Sequence, residues 1–127
     1  MISVTPIYGA VAAFLLVFLS FRVISRRRTA RVGLGVGEDR QLERAIRAHG
    51  NFCEYVPLVL LLMAFAEWQD APDWRVHLVG LLLLSGRVIH ALGLGQEPEP
   101  PKLRTIGMAL TFAALISAGL SLLVGLI

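Results

Sequence analysis

Residues 105–127 read TIGMALTFAALISAGLSLLVGLI, 23 positions without one charged side chain. A helix needs roughly 20 apolar residues to cross the hydrocarbon core of a bilayer, so this stretch is a membrane span on its own evidence. Working back from it, Ile7–Ile24 is a second apolar run, broken only by Arg22 near its end. The two segments between them are weaker. Tyr55–Ala66 holds only 12 uncharged residues and reaches spanning length only if Asn51 and Glu54 lie inside the membrane. Val76–Leu94 spans only if it carries Arg87 and His90 with it. The expected fold is all-α: one membrane domain over residues 1–127, a four-helix bundle with spans near 7–24, 50–68, 76–94 and 105–127.

Composition agrees. The 127 residues are 56% hydrophobic and 17% charged, with a mean hydropathy of +0.70. Soluble domains run about 45–50% apolar and about 25% charged, so a soluble enzyme and a disordered chain are both excluded. Four spans take about 80 residues and leave short connections. The net charge of +3 could suggest nucleic acid, but its distribution does not. Seven of the 12 Lys and Arg fall between Arg26 and Arg47, with Lys102 and Arg104 in a second group. Loops that hold such clusters stay in the cytoplasm. Residues 25–47 and 95–104 are therefore expected there, with both termini on the opposite side, which holds only Arg75. A cleaved signal carries its positive charge before the apolar core. Here Arg26–Arg28 follow it, so the first segment is expected as a retained helix. Trp68 and Trp74 flank a polar turn, where interfacial aromatics belong. Gly33–Gly37 (GLGVG) lacks the strand and helix context of a dinucleotide loop and reads as a flexible connection. One cysteine, Cys53, permits no intrachain disulfide, and with three scattered His it builds no metal site.

The polar residues inside the spans carry the functional signal, because ionisable groups there usually face the bundle interior. Arg44, Arg47, Asn51 and Glu54 are spaced three, four and three apart and share one helix face. Arg87 and His90 share another, Arg22 ends the first span, and Arg104 begins the fourth. With the expected topology all of these lie in the cytoplasmic half. Five are cationic and one is anionic, a balance suited to an anionic or zwitterionic ligand that carries extra carboxylates. The competing reading is that Glu54 pairs with Arg47 or Arg87 only to fasten helices, while Arg22, Arg44 and Arg104 snorkel to headgroups. His49 points off this face toward another helix or subunit, and Cys53 reads as packing. Pro57 should kink the second span. Ala109, Ala113, Ser117, Ser121 and Gly125 form a small-residue stripe that lets helices approach. No ionisable group is assigned to the outer half of any span, which counts against a proton-relaying transporter.

The stretch Glu43–Pro57, ERAIRAHGNFCEYVP, resembles the signature of the MAPEG family, the membrane-associated proteins in eicosanoid and glutathione metabolism. The segments SGRVIH (85–90) and PKLRTIG (101–107) extend the resemblance, which is closest to the small bacterial members. It implies a homotrimer in the bacterial inner membrane with a cytoplasmic-side glutathione site between subunits. Arg47, Asn51, Glu54, Arg87, His90 and Arg22 match glutathione-binding positions, and Arg44 joins them by its place on the same face. Arg104 matches the arginine proposed to stabilise the glutathione thiolate, and Thr105 stands where several relatives carry Ser. Leu94 and Met108 replace tyrosines of some relatives, and Gly50 replaces an arginine of the prostaglandin E synthase branch. The implied activity is a glutathione-dependent transferase or peroxidase acting on lipophilic electrophiles or lipid hydroperoxides. A ligand-binding or structural trimer without catalysis, and a small transporter, are the alternatives.

Overall fold

The computed structural model describes residues 1–125. They form four helices, α1 (Thr5–Ala30), α2 (Arg40–Trp68), α3 (Asp73–Gly95) and α4 (Pro101–Gly125), with no strand among the described residues. Each is long and apolar enough to cross a membrane. Leu126 and Ile127, the end of the fourth expected span, lie outside the described residues.

α1 continues six residues beyond its apolar run, through the arginines expected in a loop. Arg27 and Arg28 occupy its last turn, where positive charge offsets the negative end of the helix dipole. Arg31 then ends the helix in a left-handed conformation, with φ of 56°. The GLGVG loop turns back toward α1, and Arg27 Nη1 donates to the Gly35 carbonyl at 2.8 Å. α2 starts at Asp39, whose carboxylate accepts the N–H groups of Gln41 and Leu42, each at 2.9 Å, an N-cap of the usual kind. α2 then runs unbroken through Pro57. Its buried side, including Phe52, Val56, Val59 and Met63, meets the other helices in one core.

α3 and α4 pack backbone to backbone. A Cβ on Gly107 would stand 2.6 Å from the His90 nitrogen and 2.7 Å from the Gly86 carbonyl oxygen. A Cβ on Gly93 would stand 2.9 Å from the Arg104 nitrogen. The residues of α4 buried here are Gly107, Thr111, Ala114 and Ala118. The small-residue stripe read from the sequence lies beside this face: Ala109 and Gly125 are exposed and Ala113, Ser117 and Ser121 half-buried.

The end of the bundle at which α1 begins corrects the expectation that no ionisable group sits in the outer halves of the spans. Glu67, 4% exposed, accepts the backbone N–H groups of Ser3, Val4 and Thr5. α1 has no side-chain cap of its own, so the carboxylate of α2 satisfies the free amides at its start. One turn further along, the Tyr8 hydroxyl lies 2.9 Å from His77 Nδ1, with the Tyr8 ring over Gly80.

Candidate functional site

At the other end, α2, α3 and α4 converge on Arg87, which is 2% exposed. Its Nη1 donates to the side-chain oxygen of Asn51, and its Nη2 lies 3.5 Å from the Met108 sulfur. Its guanidinium stands 6.0 Å over the Tyr55 ring, and its Nε has no partner. No carboxylate pairs with it among the described residues. A buried guanidinium without a counter-charge carries a large desolvation penalty that an incoming anion relieves.

His90 is also buried, at 4% exposure. Asn51 and Arg87 are thus in contact, with His90 one turn away on α3. Arg47, Glu54, Arg104 and Thr105 are exposed on the single chain, although α2 and α4 are membrane-spanning helices. Charged side chains on such a surface are very costly against lipid and belong against protein or water. Glu54 forms no ion pair among the described residues, so the pairing with Arg47 or Arg87 that would merely fasten helices is not made. The Thr105 hydroxyl donates to the Pro101 carbonyl within its own helix, at 3.3 Å.

Glu99, in the turn before α4, is a site residue that sequence reading passed over. Its two carboxylate oxygens lie 3.3 Å from Arg44 Nη1 and 3.3 Å from Arg104 Nη1. Arg44 Nη1 also donates to the Gln96 carbonyl at 3.1 Å. Arg22 and Arg44 line a separate cavity of about 420 Å³ between α1, the start of α2 and the end of α3. His49 does reach another helix, its Nε2 lying 3.1 Å from Ser20 Oγ of α1. Cys53, expected to be packed, is exposed, with its sulfur 4.0 Å from His49 Nδ1. The four-residue spacing from His49 to Cys53 was the available signal for that contact.

Four membrane-spanning helices, three of them converging on a buried, uncompensated arginine, define a polytopic membrane protein with a polar site at one end of its bundle. Residues 5–124 match the MAPEG family as a whole, and the chain belongs to that family. It is similar to the inner membrane protein YecN of Escherichia coli strain K12, 39% identical over 113 residues that cover 89% of this chain and 85% of the relative. The same protein from E. coli O6:H1 strain CFT073 matches with the same figures.

Proposed function

We propose that this protein binds glutathione at the Asn51–Arg87–His90 cluster and uses its thiolate on a lipophilic co-substrate drawn from the bilayer. The observation that carries this reading is the Arg87 guanidinium, buried with one neutral oxygen and one sulfur as its partners. A glutathione carboxylate supplies the missing charge, and Glu54 offers a counter-charge for the ammonium group. Arg47, Arg104 and Thr105 complete the polar wall. In a transfer reaction the thiolate sulfur bonds to the electrophilic carbon as the leaving group departs or the adduct takes a proton. In a peroxidase reaction two thiols reduce one hydroperoxide to an alcohol and water and leave as a disulfide.

The exposure of Arg47, Glu54 and Arg104 supports assembly as a homotrimer in which a neighbouring subunit covers them. The basic end is assigned to the cytoplasm, and both termini to the other side. Labelling from outside the cell of a cysteine placed at Thr29 reverses that assignment. Calorimetry with glutathione and with a thiol-free analogue on detergent-purified protein tests the site. Both are expected to bind, and Glu54→Ala is expected to weaken binding by more than about tenfold while the oligomer stays intact. Unchanged affinity in that variant overturns the reading.

A second reading, a binding or structural trimer without catalysis, rests on Met108. Its sulfur takes up Arg87 Nη2 where some relatives present a tyrosine hydroxyl. Retained binding with no turnover of any generic electrophile or hydroperoxide selects it.

A further inference from the structure

Glu99 lies in the turn between α3 and α4 and places its two oxygens on two different helices. Oε2 lies 3.3 Å from Arg44 Nη1 of α2, and Oε1 accepts from Arg104 Nη1 of α4 at 3.3 Å. The same Arg44 Nη1 donates to the Gln96 carbonyl at 3.1 Å. Arg44 therefore holds the turn at two points, one of them main chain. The two ion pairs differ in their access to water. The Arg44 side chain is 19% exposed, Glu99 24% and Arg104 57%. Water and salt screen exposed pairs more than shielded ones, so the pair with Arg104 is the one that an outside anion can break.

Arg104 also lines a hollow of about 310 Å³ together with Glu99, Pro101 and Thr105. Thr105 is neutral and its hydroxyl is turned back to the Pro101 carbonyl. The charges on this wall are therefore Glu99 and Arg104, and in the empty hollow they neutralise each other. An anion that enters meets a guanidinium already holding a carboxylate.

We propose that Glu99 is a built-in competitor for the anionic group of the ligand. With the site empty, its carboxylate occupies Arg104. On binding, the thiolate or a carboxylate of glutathione takes Arg104, and Glu99 stays on Arg44 without the turn leaving α2. Displacing Glu99 costs the same for every anion. Ligands anchored elsewhere in the site, as glutathione is in the reading above, are thereby favoured over small free anions. Glu99 acts through Arg104 and is a positioning residue. The competition rests on the assignment of Arg104 to the glutathione site; the occupation of Arg104 by Glu99 does not.

Two measurements on the detergent-purified full chain test these parts separately. Without glutathione, modification by phenylglyoxal is followed by peptide mass spectrometry at Arg104, with the exposed Arg28 as internal reference. Glu99→Gln is expected to speed the Arg104 adduct about two- to fivefold, the scale of a part-exposed ion pair, and to leave Arg28 unchanged. With glutathione, calorimetry is expected to show affinity raised by a similar factor in Glu99→Gln. Arg44→Gln should lower it, because Glu99 is then left to Arg104 alone. The double variant Arg44→Gln/Glu99→Gln should recover the affinity of Glu99→Gln, which a network that merely anchors the turn would not do. An Arg104 adduct rate unchanged by Glu99→Gln overturns the proposal, whatever glutathione does. A lower glutathione affinity in Glu99→Gln also overturns it and makes Glu99 an anchor of the turn. Binding of glutathione to none of these proteins overturns the reading of the site and the competition with it, while the phenylglyoxal rates still decide whether Glu99 occupies Arg104.

Discussion

Asn51 and Arg87 join α2 to α3 through a single hydrogen bond from guanidinium to amide oxygen, and that bond is the main polar anchor of a fully buried cation. Its two ends respond differently to mutation. Asn51→Ala strands the charge and is expected to lower unfolding stability by about 1.5–3 kcal/mol. Arg87→Met removes the charge and the desolvation penalty together, so stability is expected to hold or rise while glutathione binding disappears. Unfolding in mixed micelles, alongside calorimetry, reads both.

Gly107→Ala tests the α3–α4 crossing. The added methyl would meet the backbone of His90 and Gly86, which unlike a side chain has no other rotamer to adopt. The helices must separate, at a cost of about 1–3 kcal/mol, and His90 moves with α3. A variant as stable as wild type, with unchanged ligand affinity, contradicts the crossing.

Glu67→Ala leaves the amides of Ser3, Val4 and Thr5 without their acceptor. At about 1–3 kcal/mol for a buried polar group left unsatisfied, the expected destabilisation is at least about 2 kcal/mol. Hydrogen exchange should accelerate at residues 3–5, and glutathione affinity should not change, because the cluster around Arg87 is at the other end of the bundle.

Asp39 gives the pH dependence a sign. The Leu42 N–H holds its carboxyl below the usual carboxylate value. Desolvation opposes this, and the Arg26 hydrogen bond and charge and the Gln41 N–H add to the lowering. A depressed pKa means that the stabilisation is complete above the unfolded carboxylate range and is lost as pH falls through the lowered value. Protection of the amides at Gln41 and Leu42 should therefore hold down to about pH 4 and decline as pH falls further. Asp39→Asn, which still caps but does not ionise, should flatten that decline.

Arg104 and Glu99 test the chemistry. A cysteine-type thiol has a pKa of about 8.5 and is only a few per cent thiolate at pH 7. Bound glutathione should show thiolate ultraviolet absorbance that Arg104→Ala abolishes, with turnover, while binding survives. Glu99→Gln releases Arg104 from its 3.3 Å ion pair and should raise the thiolate signal. If Arg104→Ala keeps both signals at wild-type level, Arg104 only anchors its helix.

The four helices and the end at which the cations gather were legible because both follow from local properties, apolar length and the position of charge. So was the shared position of Arg87 and His90, three residues apart on a helix. Glu67 escaped because a carboxylate at the edge of an apolar run looks like the place where the span meets water. Only the fold reveals that α1 begins beside it without a cap. Glu99 escaped for a related reason: in a Pro-rich turn it reads as solvated, and its two arginine partners are 55 and five residues away. The α4 packing face missed the stripe of small residues because glycine at 107 and 86 permits closer approach than alanine or serine does.

The Gly86–Gly107 crossing also separates two kinds of constraint on this protein. Where α3 and α4 meet, main chain fixes the spacing of His90 relative to the start of α4, and no lipid-facing side chain takes part. The outer surface, with Phe14, Leu81, Ile116 and Leu120 among its exposed apolar residues, is free to be matched to bilayers of different hydrophobic thickness. Adaptation to a new membrane and preservation of the polar site are thereby assigned to different atoms of the same helices, and one can drift without disturbing the other.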